Sequence, residues 1–177
     1  REYMPIPQSG SSNGAIYSQT SGLVNFPVSN SGNYYPSSER IFSEKALENS
    51  PLDRVLGLTQ PGSSWEGHAV QYAYQANNAN EVLKIITTSI YSEGISKATT
   101  LTFSGYYAGA TLYKNKITDE DGNVSYEFKN GQGQVLLVRK ELSTTTYADT
   151  YYVYNEYDQL AFVISPLASD SFKSSPN

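Results

Sequence analysis

Val124-Ser-Tyr126-Glu-Phe128-Lys-Asn130-Gly131-Gln-Gly133-Gln-Val135-Leu-Leu137-Val138 and Tyr152-Val-Tyr154-Asn-Glu-Tyr157-Asp158-Gln-Leu160-Ala-Phe162-Val-Ile164 share one plan. Each reads as strand, short polar turn, strand. Aromatic residues two apart precede the turn (Tyr126 and Phe128; Tyr152 and Tyr154), and apolar residues two apart follow it (Val135 and Leu137; Leu160 and Phe162). Period 2 on both sides of a turn is the mark of a half-buried β-hairpin. Two copies in one chain predict a fold made of repeated hairpins.

Working outward, the same alternation recurs. Ala69 to Tyr74 alternates, Asn77-Asn78-Ala79-Asn80 turns, and Val82 to Thr88 returns. Thr99 to Phe103 and Ala110 to Lys114, with Gly105 and Gly109 between them, predict a further hairpin. Lys116-Ile117-Thr118 joins Val124-Ser-Tyr126 through Asp121-Gly122-Asn123, and Asp-Gly suits a turn with positive φ at both central residues. Ser143 to Thr146 forms a polar connection into the last hairpin. Chained hairpins give an all-β antiparallel meander forming a twisted sheet. Residues 1–64 are rich in Ser, Asn, Gly and Pro and predict an extended, loop-rich segment packed on that sheet, anchored by Ile16-Tyr17, Leu23 to Val28 and Tyr34-Tyr35. A short helix is expected from Ser37 or Ser38 through Leu47, ended by Asn49-Ser50-Pro51. Gln60-Pro61-Gly62-Ser63-Ser64 signals a turn. Residues 65–166 form the hairpin-repeat domain, and 167–177 read as a flexible C-terminal tail.

Composition narrows the function classes. The 177 residues suffice for one domain with a real core, since a fold of about 150 residues buries roughly 68–70% of its unfolded surface. Only 16% are charged, against about 25% in an ordinary domain, and 16 are tyrosine. A net charge of −5 and a pI near 4.8, with no basic cluster, argue against nucleic acid as a partner. The absence of cysteine and the single histidine exclude thiolate and multi-histidine zinc sites. No apolar run approaches the roughly 18 residues of a membrane span. Because the chain opens abruptly on Arg1-Glu2-Tyr3 and closes in a polar tail, it is expected to be a piece of a longer protein.

At the two copies the residues resemble a known family. Tyr154-Asn-Glu-Tyr157-Asp158-Gln-Leu160 is similar to the Tyr-Asp-x-x-Gly-Arg-Leu signature of the YD repeats of Rhs proteins and other very large bacterial surface and secreted proteins. Phe128 to Val135, with Gly133 in the turn, looks like a second copy one residue longer, and Tyr74 to Val82 like a degenerate third. Arg1-Glu-Tyr-Met-Pro-Ile-Pro7, Ser50-Pro-Leu-Asp-Arg-Val-Leu56, Pro61-Gly-x-x-Trp65 and Tyr107-Ala-Gly-Ala-Thr-Leu112 resemble the region preceding the repeat array in a bacterial subgroup. The final copy departs from the pattern: Asn155 stands for Asp, Asp158 for Gly and Gln159 for Arg. The resemblance implies successive hairpins in one long sheet that curls into a shell in the full protein. It also implies a secreted or cell-surface location. The implied partners are the remaining repeats of the parent chain or, in isolation, a second copy paired through edge strands.

Candidate chemistry is sparse. His68 beside Glu66 could shuttle protons, yet no nucleophile accompanies them, and a surface loop tethered by Trp65 is the simpler account. Asp119 to Asn123 lacks the ligand order of a calcium loop and reads as a hairpin turn. Glu39, Glu44, Glu48, Glu66, Glu127 and Asp149 offer no distinguishable glycosidase pair. Gly131-Gln-Gly133 lacks the Lys and helix of a phosphate loop. The tyrosines, with Trp65, Tyr106 and Tyr107 foremost, could face a glycan or host protein, although aromatic residues also pair across strands as packing. The expectation is therefore a non-enzymatic structural module without cofactor or metal. The alternative is a carbohydrate- or host-protein-binding surface.

Overall fold

The computed structural model describes residues 1–4, 35–36 and 38–174. The anchors expected at Ile16-Tyr17, Leu23 to Val28 and Tyr34 lie outside the described residues. The chain divides into two units, Arg1–Gln71 with Asp119–Asp121, and Tyr72–Thr118 with Gly122–Asn177.

In the first unit, β1 (Glu2–Tyr3), β2 (Phe42–Leu47), β3 (Val55–Thr59) and the start of β4 (Val70–Ala76) are antiparallel neighbours in that order. The helix expected to reach Leu47 is instead β2. Ile41 and Ser43 are buried two apart, the strand period, and pairing on both sides (Tyr3 opposite Phe42, Lys45 opposite Leu58) outweighs the helix propensity of Glu-Lys-Ala-Leu. Asn49 to Asp53 is the hairpin turn between β2 and β3, clasped by Arg54 donating twice to Glu48, at 2.9 and 2.7 Å. The Pro61-Gly62 signal holds as a turn: Gly62 has φ 108° and leads into a 3-10 turn at Ser63–Trp65. The Glu39 carboxylate reaches that turn and accepts the Ser63 N–H at 3.0 Å.

In the second unit, β4 from Tyr72 onward neighbours β7 (Tyr113–Thr118), followed by β8 (Val124–Lys129), β9 (Val135–Ser143), β10 (Thr146–Tyr154) and β11 (Leu160–Ile164). Each successive pair from β7 to β11 is antiparallel, the expected meander. The pairing expected farther upstream differs. β5 (Leu83–Ser92) pairs with β6 (Ile95–Tyr106), not with β4, and β6 does not pair with β7. The cause is a tight turn unmarked by any favoured turn pair: Glu93 and Gly94 both take positive φ, 55° and 76°, and bring Ser92 opposite Ile95. β5 and β6 are thus an inserted hairpin, and β4 and β7 become neighbours across its base.

Asn77 closes that base. It is 3% exposed; its Oδ1 accepts the N–H groups of Thr111 (3.0 Å) and Leu112 (2.8 Å), and its Nδ2 donates to the carbonyls of Asn78 and Ala108. All four hydrogen-bonding positions of the amide are filled, which is what a buried Asn requires. The core follows. Leu83, Ile85, Leu101 and Phe103 of the inserted hairpin pack against Phe128, Leu137, Tyr151 and Val153 of the sheet.

The residues read as a flexible tail carry a helix, α1 (Pro166–Ser174). Pro166 sits where a missing N–H costs nothing, and the Ser165 carbonyl accepts the Ser169 N–H at 2.8 Å. One face of α1 is tied down. Ser169 is 1% exposed and Phe172 packs on the core, its ring 6.4 Å from that of Phe103.

Candidate functional site

The repeat turns are built by one asparagine each. At residues 130–134, Asn130 Oδ1 accepts the N–H groups of Gln132 (3.0 Å) and Gln134 (2.9 Å), while Asn130 Nδ2 donates to Gln134 Oε1. At residues 155–159, Asn155 Oδ1 accepts from Tyr157 (3.0 Å) and Gln159 (2.9 Å), and its Nδ2 donates to Gln159 Oε1. The backbone bonds match as well, Asn130 to Gln134 and Asn155 to Gln159. Both turns take a left-handed residue in fourth place, Gly133 at φ 83° and Asp158 at φ 60°. An amide oxygen accepts the same two N–H groups a carboxylate would, and Asp tolerates left-handed backbone, so Asn155 and Asp158 keep the turn intact.

This geometry corrects two expectations. The turns are equal in length, so Lys129 corresponds to Tyr154 and Phe128 to Val153. Burial agrees: Phe128, Tyr151 and Val153 are buried, whereas Tyr152 and Tyr154 are half-buried. The turn from Thr118 to Val124 is not of the two-residue Asp-Gly kind either. Only Gly122 (φ 83°) is left-handed there, Asp119 Oδ1 accepts the Asp121 N–H at 3.1 Å, and five residues intervene between the strands. Asp119 and Gly122 therefore stand where Asn130 and Gly133 do.

Turns 130–134 and 155–159 meet: Gln134 Nε2 donates to Asp158 Oδ1 at 3.3 Å. Between them and β5 lies a cleft of about 330 Å³ whose lining includes Tyr107, Gln132, Tyr152, Tyr154, Glu156 and Asp158. The structure thus brings Tyr107, Tyr152, Tyr154 and Asp158 to one place. Burial pushes the Tyr107 phenol above its ordinary pKa. The remaining expected residues go elsewhere. Trp65 belongs to the first unit, 42% exposed against Gly62. Tyr106 is exposed at the end of β6, edge-on to Phe103, and Tyr157 is exposed at its turn. Tyr126 and Phe128 are packing residues 6.5 Å apart, and Val135 and Leu160 begin the strands after their turns.

A second constellation is marked by no motif in the sequence. One row across the sheet runs Lys114, Phe128, Leu137, Tyr151, Ile164; the next runs Lys116, Tyr126, Arg139, Asp149. Asp149 is fully buried, and Arg139 donates to both its oxygens (2.7 and 2.8 Å) while Lys173 of α1 donates at 2.8 Å. Burial pushes the Asp149 carboxyl up, and the Arg139 and Lys173 hydrogen bonds outweigh it, leaving the pKa below the ordinary value. Glu81 continues the chain of charge, pairing with Lys114, whose ammonium lies over the Tyr126 ring at 4.8 Å. Tyr151 beside it is pushed up to about 12, chiefly by burial. The signal in the sequence was alternation: Arg139 lies two residues from Leu137, and Asp149 two from Tyr151, so both fall on the core face.

The remaining chemical candidates are occupied by structure. His68 Nδ1 lies 3.2 Å from the Glu120 carbonyl oxygen, and Glu66 is exposed. Glu44 pairs with Arg1 and Arg40, and Glu127 with Lys129. Arg54 and Ser50 hold Glu48 down to about 2. Among the described residues no cluster of three or more His, Asp or Glu could hold a metal ion, and no helix is long and apolar enough to cross a membrane.

A family model described as "Domain of unknown function (DUF6443)" matches residues 1–78, ending two residues beyond β4. Neither the curated proteins nor the solved structures contain a match to the chain.

Proposed function

We propose that this chain is a non-enzymatic structural module of a large bacterial cell-surface or secreted YD-repeat protein, which extends β-sheet by strand pairing. The observation that carries the reading is the shared turn design. Two five-residue turns use one asparagine side chain in the same three hydrogen bonds, and a third places Asp119 and Gly122 in the corresponding positions. A Tyr-Asp-x-x-Gly pattern has a physical reason in that design. The acidic or amide side chain holds the turn, and Gly supplies the left-handed residue.

The last strand supports the same reading. β11 is Leu-Ala-Phe-Val-Ile, uncharged and free of proline, and its one strand neighbour among the described residues is β10. Natural edge strands are ordinarily blunted by charge or proline, so an unblunted edge suits pairing with another strand. In the parent that strand is the next repeat; in isolation it is a second copy. Sedimentation over a range of concentrations tests this. The wild-type chain should associate as concentration rises, and Val163→Lys, charging a residue 56% exposed on β11, should remain monomeric. A wild-type chain that is monomeric throughout would sink the proposal.

A further inference from the structure

We infer that the cleft between the two repeat turns is a binding site for an uncharged saccharide. No Lys or Arg lines it, whereas Glu156 and Asp158 do, so phosphate, sulfate and uronate ligands meet repulsion. Its lining also includes the apolar residues Ile85 and Leu136, and its tyrosines carry flat rings of the kind that pack against sugar C–H groups. Its volume of about 330 Å³ is at the small end for a ligand site and suits roughly one or two pyranose rings.

The polar groups select among the ligands that remain. The side-chain amide of Gln132 and the hydroxyls of Tyr107, Tyr152 and Tyr154 have no hydrogen-bond partner among the described residues. A phenol donates as well as accepts, and an amide carries both functions, so the complement must do both. Sugar hydroxyls do; an ammonium or guanidinium group only donates. The surroundings are also held in place before any ligand arrives: Asn130 fixes Gln134, Gln134 fixes Asp158, and Thr87 Oγ1 donates to the Tyr154 carbonyl at 3.3 Å. A site ordered in advance loses less conformational freedom on binding. The alternation that buries Tyr151 and Val153 against the core leaves Tyr152 and Tyr154 half-buried, so the site is a by-product of the strand period.

Titration of the whole chain, followed by amide chemical shifts, tests the inference with cellobiose, maltotriose and N,N′-diacetylchitobiose as probes. A sulfated heparin disaccharide and trilysine serve as charged controls. At least one neutral sugar should give saturable shifts centred on residues 130–136 and 152–158. Gln132→Ala and Tyr154→Phe, which remove side-chain polar groups without protein partners among the described residues, should each weaken that binding about tenfold. The inference is overturned if none of the three sugars saturates by about 10 mM, if both variants bind as the wild type does, or if a charged control binds the cleft more tightly. Because the variants leave β11 untouched, association through that edge can fail or hold independently.

Discussion

Replacing Asp149 with Ala should unfold the second unit more readily than any surface change, and the structure sets the size. The carboxylate is fully buried and accepts three short hydrogen bonds from two cations. Its removal strands Arg139, whose side chain is only 13% exposed, among Phe128, Tyr147 and the backbone of Glu81. Lys173 is 32% exposed and can swing into water, so it adds less. Breaking a buried pair by deleting one partner costs about 3–5 kcal/mol. For a chain of this size that corresponds to a fall in Tm of roughly 10 °C. Hydrogen exchange of the β9 and β10 amides in urea reads the second unit separately from the first. Arg139→Met together with Asp149→Leu should be far less damaging than the two single changes summed, because an apolar pair leaves no uncompensated charge. A loss below about 1 kcal/mol in Asp149→Ala, or strict additivity in the double variant, would refute the reasoning. The acid limb carries a further check. Because the folded chain lowers the Asp149 pKa, its contribution is complete above the unfolded carboxylate pKa and is lost as pH falls through the folded value. Asp149→Asn should therefore flatten the stability curve below about pH 4.

Two further outcomes follow from the same geometry. Tyr151, raised to about 12 in the folded chain, stabilises it fully below pH 10 and progressively less as pH rises through 12. Denaturant titrations should show wild-type stability falling by roughly 2–3 kcal/mol across that window, and Tyr151→Phe should remove that portion of the fall. At the repeat turns, Asn155→Ala leaves the Tyr157 and Gln159 N–H groups without their acceptor and should cost about 1–2 kcal/mol, whereas Asn155→Asp should remain within about 0.5 kcal/mol of wild type; equal losses for the two would show that the side-chain oxygen does not hold the turn.

Much of this architecture was legible because β-structure writes its period into sequence. Tyr126 and Phe128, then Val135 and Leu137, announce strands whichever strands they pair with. The charge chain was legible in principle, since Arg139 and Asp149 occupy core-facing positions, but no local pattern tells a buried ion pair from a solvated one. The cleft was not legible: Tyr107 and Tyr154 lie 47 positions apart and meet only because β5 and β6 fold back as an insertion.

By itself the amino-acid order determined the all-β class, the hairpin meander from Tyr113 onward, and where the turns near Asn130 and Asn155 fall, because alternation and turn chemistry are properties of adjacent residues. Tertiary structure alone decided that residues 42–47 are strand, that 166–174 are helix, and that β4 neighbours β7. Those outcomes turn on ladder partners, a buried Asn77 and an ion pair from Lys173, each supplied by residues far along the chain.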